Sequence, residues 1–206
     1  MHFGRYLLNK TESAGINRNS FEGCTTEEIQ ALMVSQGVER LPKKYVEYLE
    51  VMGKRTPFML EEAIRYNELL GVKDQLKRFL EVELPIDFDF PKDSFVVRMY
   101  WGASTPVAYF HTDSELDDPP IHLWVESGNS KGYEITIESD NFTEYFENLI
   151  DGYIKLWTES RERQKTNDKS MAEKIAGRDV RHQNLQPIPP ETVWQQVMNL
   201  VRRWFD

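Results

Sequence analysis

The chain has 206 residues, a formal net charge of −9 and a single cysteine, Cys24. With 40% hydrophobic and 12% aromatic residues it can build a sizeable core, and its length fits one domain with an extension. No apolar run is long enough for a helical membrane span, the opening MHFGRYLLNK lacks the apolar core of a secretory signal, and one thiol makes no internal disulfide, so a reducing cytosol is the expected compartment.

Residues 1–24 show no clear period and read as an irregular arm with at most a short strand at GRYLLN. Thr25 and Glu28 then stand at capping-box spacing. Ile29, Leu32 and Met33 share one helical face, and Gly37 marks the stop. The next segment, LPKKYVEYLEVMG, opens with Pro42, which suits a first helical turn because its missing N–H is not needed there. Tyr45, Tyr48, Leu49 and Met52 follow at i, i+3, i+4 and i+7, and Gly53 ends the pattern. Two shorter helical patterns come next. One carries Ala63, Ile64 and Leu70, the other Leu76, Phe79 and Leu80, with Gly71 between them.

The texture changes at Pro85. SFVVRMYW, PVAYFH, PIHLWVE and GYEITIES are rich in β-branched and aromatic residues and bounded by Pro, Gly, Ser and Asp, which predicts four strands in an antiparallel meander. In the last strand Tyr133, Ile135 and Ile137 alternate with Glu134, Thr136 and Glu138, and SGNSKG before it is a hairpin signal. From Asn141, with Glu144 at cap spacing, Phe142, Tyr145, Phe146, Leu149, Ile150, Tyr153, Ile154 and Trp157 form the chain's strongest helical stripe. This helix is expected to pack across the meander. Residues 158–189 are polar and read as a helix continuation followed by an exposed connection. A final helix from about Glu191 presents Val193, Trp194, Val197, Met198, Val201, Trp204 and Phe205. Aromatic residues in that number predict that it docks, on the domain or on a second copy of the chain. The expected organisation is a domain over residues 1–157 and, over 158–206, a polar connection with a C-terminal helix.

Charge is unevenly placed. Residues 101–150 hold one basic side chain, Lys131, against ten acids, so this segment carries the whole net −9 while the rest of the chain balances. A nucleic-acid binder concentrates Lys and Arg instead. A concentrated negative field draws cationic surfaces and speeds their encounter; the alternative reading is a solubilising face.

Motifs for chemistry are sparse. Cys24 has no sequence-adjacent partner, although a thiolate at a helix cap would be stabilised. YFHTDSELDDPP gathers His111, Asp113, Glu115, Asp117 and Asp118, but neither a calcium ladder with its turn glycine nor zinc-type His/Cys spacing is present, so no metal is expected. DFDFPKD places Asp87, Asp89 and Asp93 before the first strand, where alternation with Phe88 and Phe90 describes an edge segment with two faces. No G-x-S-x-G, P-loop, G-x-G-x-x-G or H-E-x-x-H occurs. Tyr100, Trp101, Tyr109, Phe110 and Trp124 lack flanking Lys or Arg and read as core.

Taken in order, these segments resemble the SMI1/KNR4 family, also called the SUKH superfamily, over roughly residues 25–155. Leu41, Pro42, Tyr45, Tyr48, Leu49 and Gly53 match its L-P-x-x-Y-x-x-(F/Y)-L helix. Asp118, Pro119, Ile121 and Trp124 match its D-P-x-V-like strand, and Asn141, Phe142, Phe146 and Leu149 match its capped closing helix. The resemblance implies an α+β fold, with an antiparallel or mixed sheet of about four to six strands flanked by helices. It brings no catalytic residues and no cofactor. It further implies a non-enzymatic protein-binding module: in bacteria mostly an immunity protein that neutralises a polymorphic toxin, often a nuclease or deaminase, by direct contact; in fungi a regulator of cell-wall synthesis. The partner expected here is a basic toxin domain, met by Asp113, Glu115, Asp117, Asp118, Glu126 and Trp124. The alternatives are a regulatory scaffold and a small cytosolic enzyme with an acidic pocket near Asp113.

Overall fold

The computed structural model describes residues 1–58, 62–63, 65–82, 86, 88–100, 105–113 and 115–176, with the backbone alone for 62–63 and 169–176. The chain divides into two units, Met1–Arg161 and Glu162–Asp206. The first begins with helix α1, Phe3–Ser13, where the sequence predicted an irregular arm. The helical period is short but present: Phe3, Leu7, Leu8 and Thr11 are all buried. It is stabilised from outside. Glu47 accepts the Phe3 N–H at 2.5 Å, and a Cβ on Gly4 would fall 1.9 Å from the Glu47 carbonyl oxygen, so only glycine allows the backbones to approach this closely.

Helix α2, Thr26–Gln36, starts with the predicted capping box: Glu28 N–H donates to Thr25 Oγ1, and Thr25 N–H donates to Glu28 Oε2. Gly37 closes it at φ 68°. Helix α3, Lys43–Met52, follows Pro42 and buries Tyr45, Tyr48, Leu49 and Met52, the four residues of the predicted stripe. The segment after it departs from expectation. Glu62–Ala63 form strand β1 rather than part of a helix, Ile64 lies outside the described residues, and Leu70 sits half-buried after the short helix α4, Tyr66–Leu69. Helix α5, Val72–Val82, buries Leu76 and Leu80 as expected.

Strands β2 (Ser94–Tyr100), β3 (Val107–His111), β4 (Ile121–Glu126) and β5 (Tyr133–Ser139) extend β1 into one antiparallel sheet in the order β1-β2-β3-β4-β5. Helix α6, Phe142–Ala176, follows. The fold is α+β. One face of the sheet presents Phe95, Ala108 and Phe110. Tyr45 packs there, 5.2 Å from Phe95, 5.5 Å from Phe110 and 5.3 Å from Phe142 of α6, measured between ring centroids. The other face presents Val96, Tyr109 and Trp124, and Phe88 and Phe90 lie over it. Gln36 serves the bulged part of β2 like a short strand: its amide accepts the Val96 N–H at 2.8 Å and donates to the Val96 carbonyl at 3.0 Å.

Helix α6 buries Phe142, Tyr145, Phe146 and Ile150 and half-buries Leu149, Tyr153, Ile154 and Trp157. It meets both α3 and the sheet, with Tyr48 and Phe146 rings 4.5 Å apart and Arg98 of β2 donating to the Tyr145 hydroxyl. Strand β5 ends the sheet, and its apolar side is less covered than its alternation predicted: Ile135 is 41% and Ile137 63% exposed. Helix runs through residues expected to be a polar connection, to Ala176, and in the second unit residues 162–168 are exposed. The helix expected from Glu191 lies outside the described residues.

Candidate functional site

The loop between β3 and β4 holds four of the six residues expected to meet a partner, and it is anchored at its far end. The Asp117 carbonyl accepts the Lys44 N–H in the first turn of α3. Pro42 brings no side-chain cap to that turn, so the loop supplies one. The Asp118 carboxylate accepts the Thr143 N–H at 2.8 Å, and the Asn141 side chain accepts the Glu144 N–H at 2.7 Å; together they cap α6. The two helical segments and the D-D-P-P turn that are far apart in sequence thus meet at one point, beside the aromatic cluster centred on Tyr45.

This geometry separates the expected site residues. Asp113, Glu115 and Asp117 are exposed. Asp118 is half-buried and spends its carboxylate on the α6 cap. Glu126 is exposed at the opposite end of β4, about 17 Å from Ile121 by strand rise. Trp124 is fully buried against Phe88 and Phe90, which corrects its placement on a docking surface: its position on β4 turns it to the covered face of the sheet. Among the described residues, no Lys or Arg pairs with Asp113, Glu115, Asp117, Glu126, Glu134, Glu138, Asp140 or Glu144.

A second feature lies where the same loop leaves β3. His111 Nδ1 is 2.7 Å from Asp93 Oδ2, both side chains being about one-third exposed. Asp113 completes a group whose ligating atoms lie within 4.8 Å of one another. The His122 ring on β4 is 4.9 Å from that of His111 and stacks on Tyr109 at 5.3 Å. Burial works to raise the Asp93 carboxyl, but the hydrogen bond from His111 and a backbone N–H outweigh it and leave it below the usual range. Burial, then the neighbouring His111, holds His122 below the ordinary histidine range. The sequence showed the two halves of this cluster separately, in DFDFPKD and YFHTDSELDDPP, and no local spacing connects them.

The Cys24 thiol is buried, and that burial, aided by the Glu28 carboxylate, pushes it up to about 12, against the low range of activated thiols.

The model of the SMI1 / KNR4 family (SUKH-1) matches residues 23–148, more than half of the chain. No curated protein and no solved structure matches. No helix among the described residues is long and apolar enough to cross a membrane. The matched stretch opens just before the capped α2 and ends within α6, taking in the Pro42, Asp118 and Asn141 segments that converge beside Tyr45, and the chain belongs to the SMI1/KNR4 (SUKH-1) family.

Proposed function

We propose that this chain is a non-enzymatic cytoplasmic protein-binding module that neutralises a toxin domain with a cationic surface, such as a nuclease or deaminase, by direct contact. The observation that carries the reading is the set of exposed acids in residues 101–150 that have no Lys or Arg partner among the described residues. It includes Asp113, Glu115 and Asp117 on the β3–β4 loop and Glu134 and Glu138 on β5. Acids already paired within their own chain have little field left for a partner, whereas these retain theirs. A nuclease or deaminase presents cations to a phosphate backbone, and a concentration of exposed carboxylates attracts those same cations. Family membership supports a protein partner, and the lone cysteine supports a reducing compartment.

The test is the association rate, by stopped flow across a salt series, with a partner recovered by pull-down. Native protein is compared with the quadruple variant Glu115→Lys, Asp117→Lys, Glu134→Lys and Glu138→Lys. The variant is expected to associate at least about tenfold more slowly at low salt, with the gap closing as salt rises. Equal rates at every salt concentration would mean that the acids only keep the surface soluble.

A further inference from the structure

We propose that Asp93, His111 and Asp113 form a binding site for one divalent transition-metal ion of the zinc type, with His122 as the adjoining imidazole. The donor set comes first. One nitrogen and two carboxylate oxygens already stand within 4.8 Å of one another. Donors sharing a zinc ion at ordinary bond lengths are about 3–4 Å apart. Closing the triangle is therefore a matter of side-chain rotation.

The backbone prepares this arrangement. His111 ends β3 and Asp113 follows two residues later in the bend that leaves the strand, which brings both side chains to Asp93. Thr112 between them holds the Asp93 carbonyl twice, through its N–H at 2.7 Å and its Oγ1 at 2.8 Å. Arg40 Nε donates to the Thr112 carbonyl at 3.0 Å and fixes that residue in turn. The three ligands thus come from two segments that are locked together by the residue they bracket.

The electrostatics ask for a cation. The Asp93 and Asp113 carboxylates have oxygens within 4.8 Å of each other, and two negative groups at that range are stabilised by a positive ion between them. Lys73 feels the Asp93 carboxylate, but its ammonium donates to the Gln36 carbonyl at 2.7 Å. An imidazole among carboxylates selects a zinc-type ion over calcium or magnesium, which take oxygen ligands throughout. Asp113 is exposed, so an ion held here keeps a side open to water.

The experiment is calorimetric titration of metal-stripped full-length chain with zinc chloride, and separately with calcium chloride, at neutral pH. One zinc ion per chain is expected, with no comparable calcium binding. Asp113→Asn is expected to weaken zinc by at least about tenfold, His111→Ala to abolish it, and the neighbouring Glu115→Gln to leave it unchanged. Melting of each metal-free variant shows whether it folds. If His111→Ala does not fold, the exposed Asp113→Asn decides alone. Absence of stoichiometric zinc binding, calcium binding as tight as zinc, or unchanged zinc affinity in Asp113→Asn would each overturn the site.

Discussion

The N-terminal helices and the sheet side of the same unit carry similar residues but treat their acids in opposite ways. Before residue 70 five of the acids are matched by Lys or Arg. Glu22 and Glu28 share Lys54, Glu22 also meets Arg55, Glu12 meets Arg18, Glu47 meets Lys44, and Glu68 meets Arg65. Glu47 also accepts the buried Phe3 N–H. Between residues 107 and 144 the acids either cap a helix, as Asp118 does, or face solvent without a Lys or Arg partner among the described residues. Exposed ion pairs add little to stability, but they cancel the field of the charges they join. The first region is built for packing, and the second keeps a field that reaches beyond the molecule.

The largest test of this contrast lies where the two regions meet. Phe146 is fully buried against Tyr45 and Tyr48 of α3, so Phe146→Ala is expected to cost about 3–5 kcal/mol in a denaturant melt. Half-buried Leu149 should cost less on the same helix. A loss for Phe146→Ala no larger than for Leu149→Ala would show that α6 is not the joint between them.

Tyr45 sharpens the comparison with the opposite sign. Its hydroxyl is buried among aromatic rings and has no hydrogen-bond partner among the described residues. Tyr45→Phe is expected to raise stability by about 1 kcal/mol, since it removes a polar group that gains nothing in the core. A clear loss in the melt would reveal a buried water or another partner for that oxygen.

Within the acidic loop the expected effects are smaller and unequal. Asp118→Ala removes the cap on Thr143 N–H and should cost about 1 kcal/mol. Glu115→Ala, one turn of the same loop away and exposed, should stay within about 0.5 kcal/mol. Equal costs in parallel melts would mean that the cap contributes nothing. The smallest stability effect belongs to the quadruple acid-to-Lys variant, within about 0.5 kcal/mol at moderate salt. Any gain should be confined to low salt, where relief of self-repulsion is not yet screened.

Much of the fold was legible in the chain because local rules decided it. The stripe in LPKKYVEYLEVMG predicted the buried face of α3, Thr25 and Glu28 predicted a real capping box, and four β-rich runs predicted β2 to β5. Helix α1 was missed because its buried positions are few and its stability comes from docking on α3 through Gly4 and Glu47. Strand β1 was missed for the same kind of reason: its two residues pair with Met99 and Tyr100, distant in sequence.

The sequence by itself determined which elements form, where the negative charge is concentrated and which family motifs are present. A residue's neighbours at three, four or two positions away are sufficient to set an amphipathic face or a cap. Only the tertiary structure decided which faces are covered and which polar groups meet. It hid Trp124 under Phe88 and Phe90, left Ile135 and Ile137 exposed at the end of the sheet, and put Asp118 to work as a helix cap. It also brought Asp93 to His111 across 18 positions. Periodicity states that a face is apolar or that a group is polar; what lies against it is set by the pairing of β2 with β3 and by the packing of α3 and α6, which no local pattern encodes.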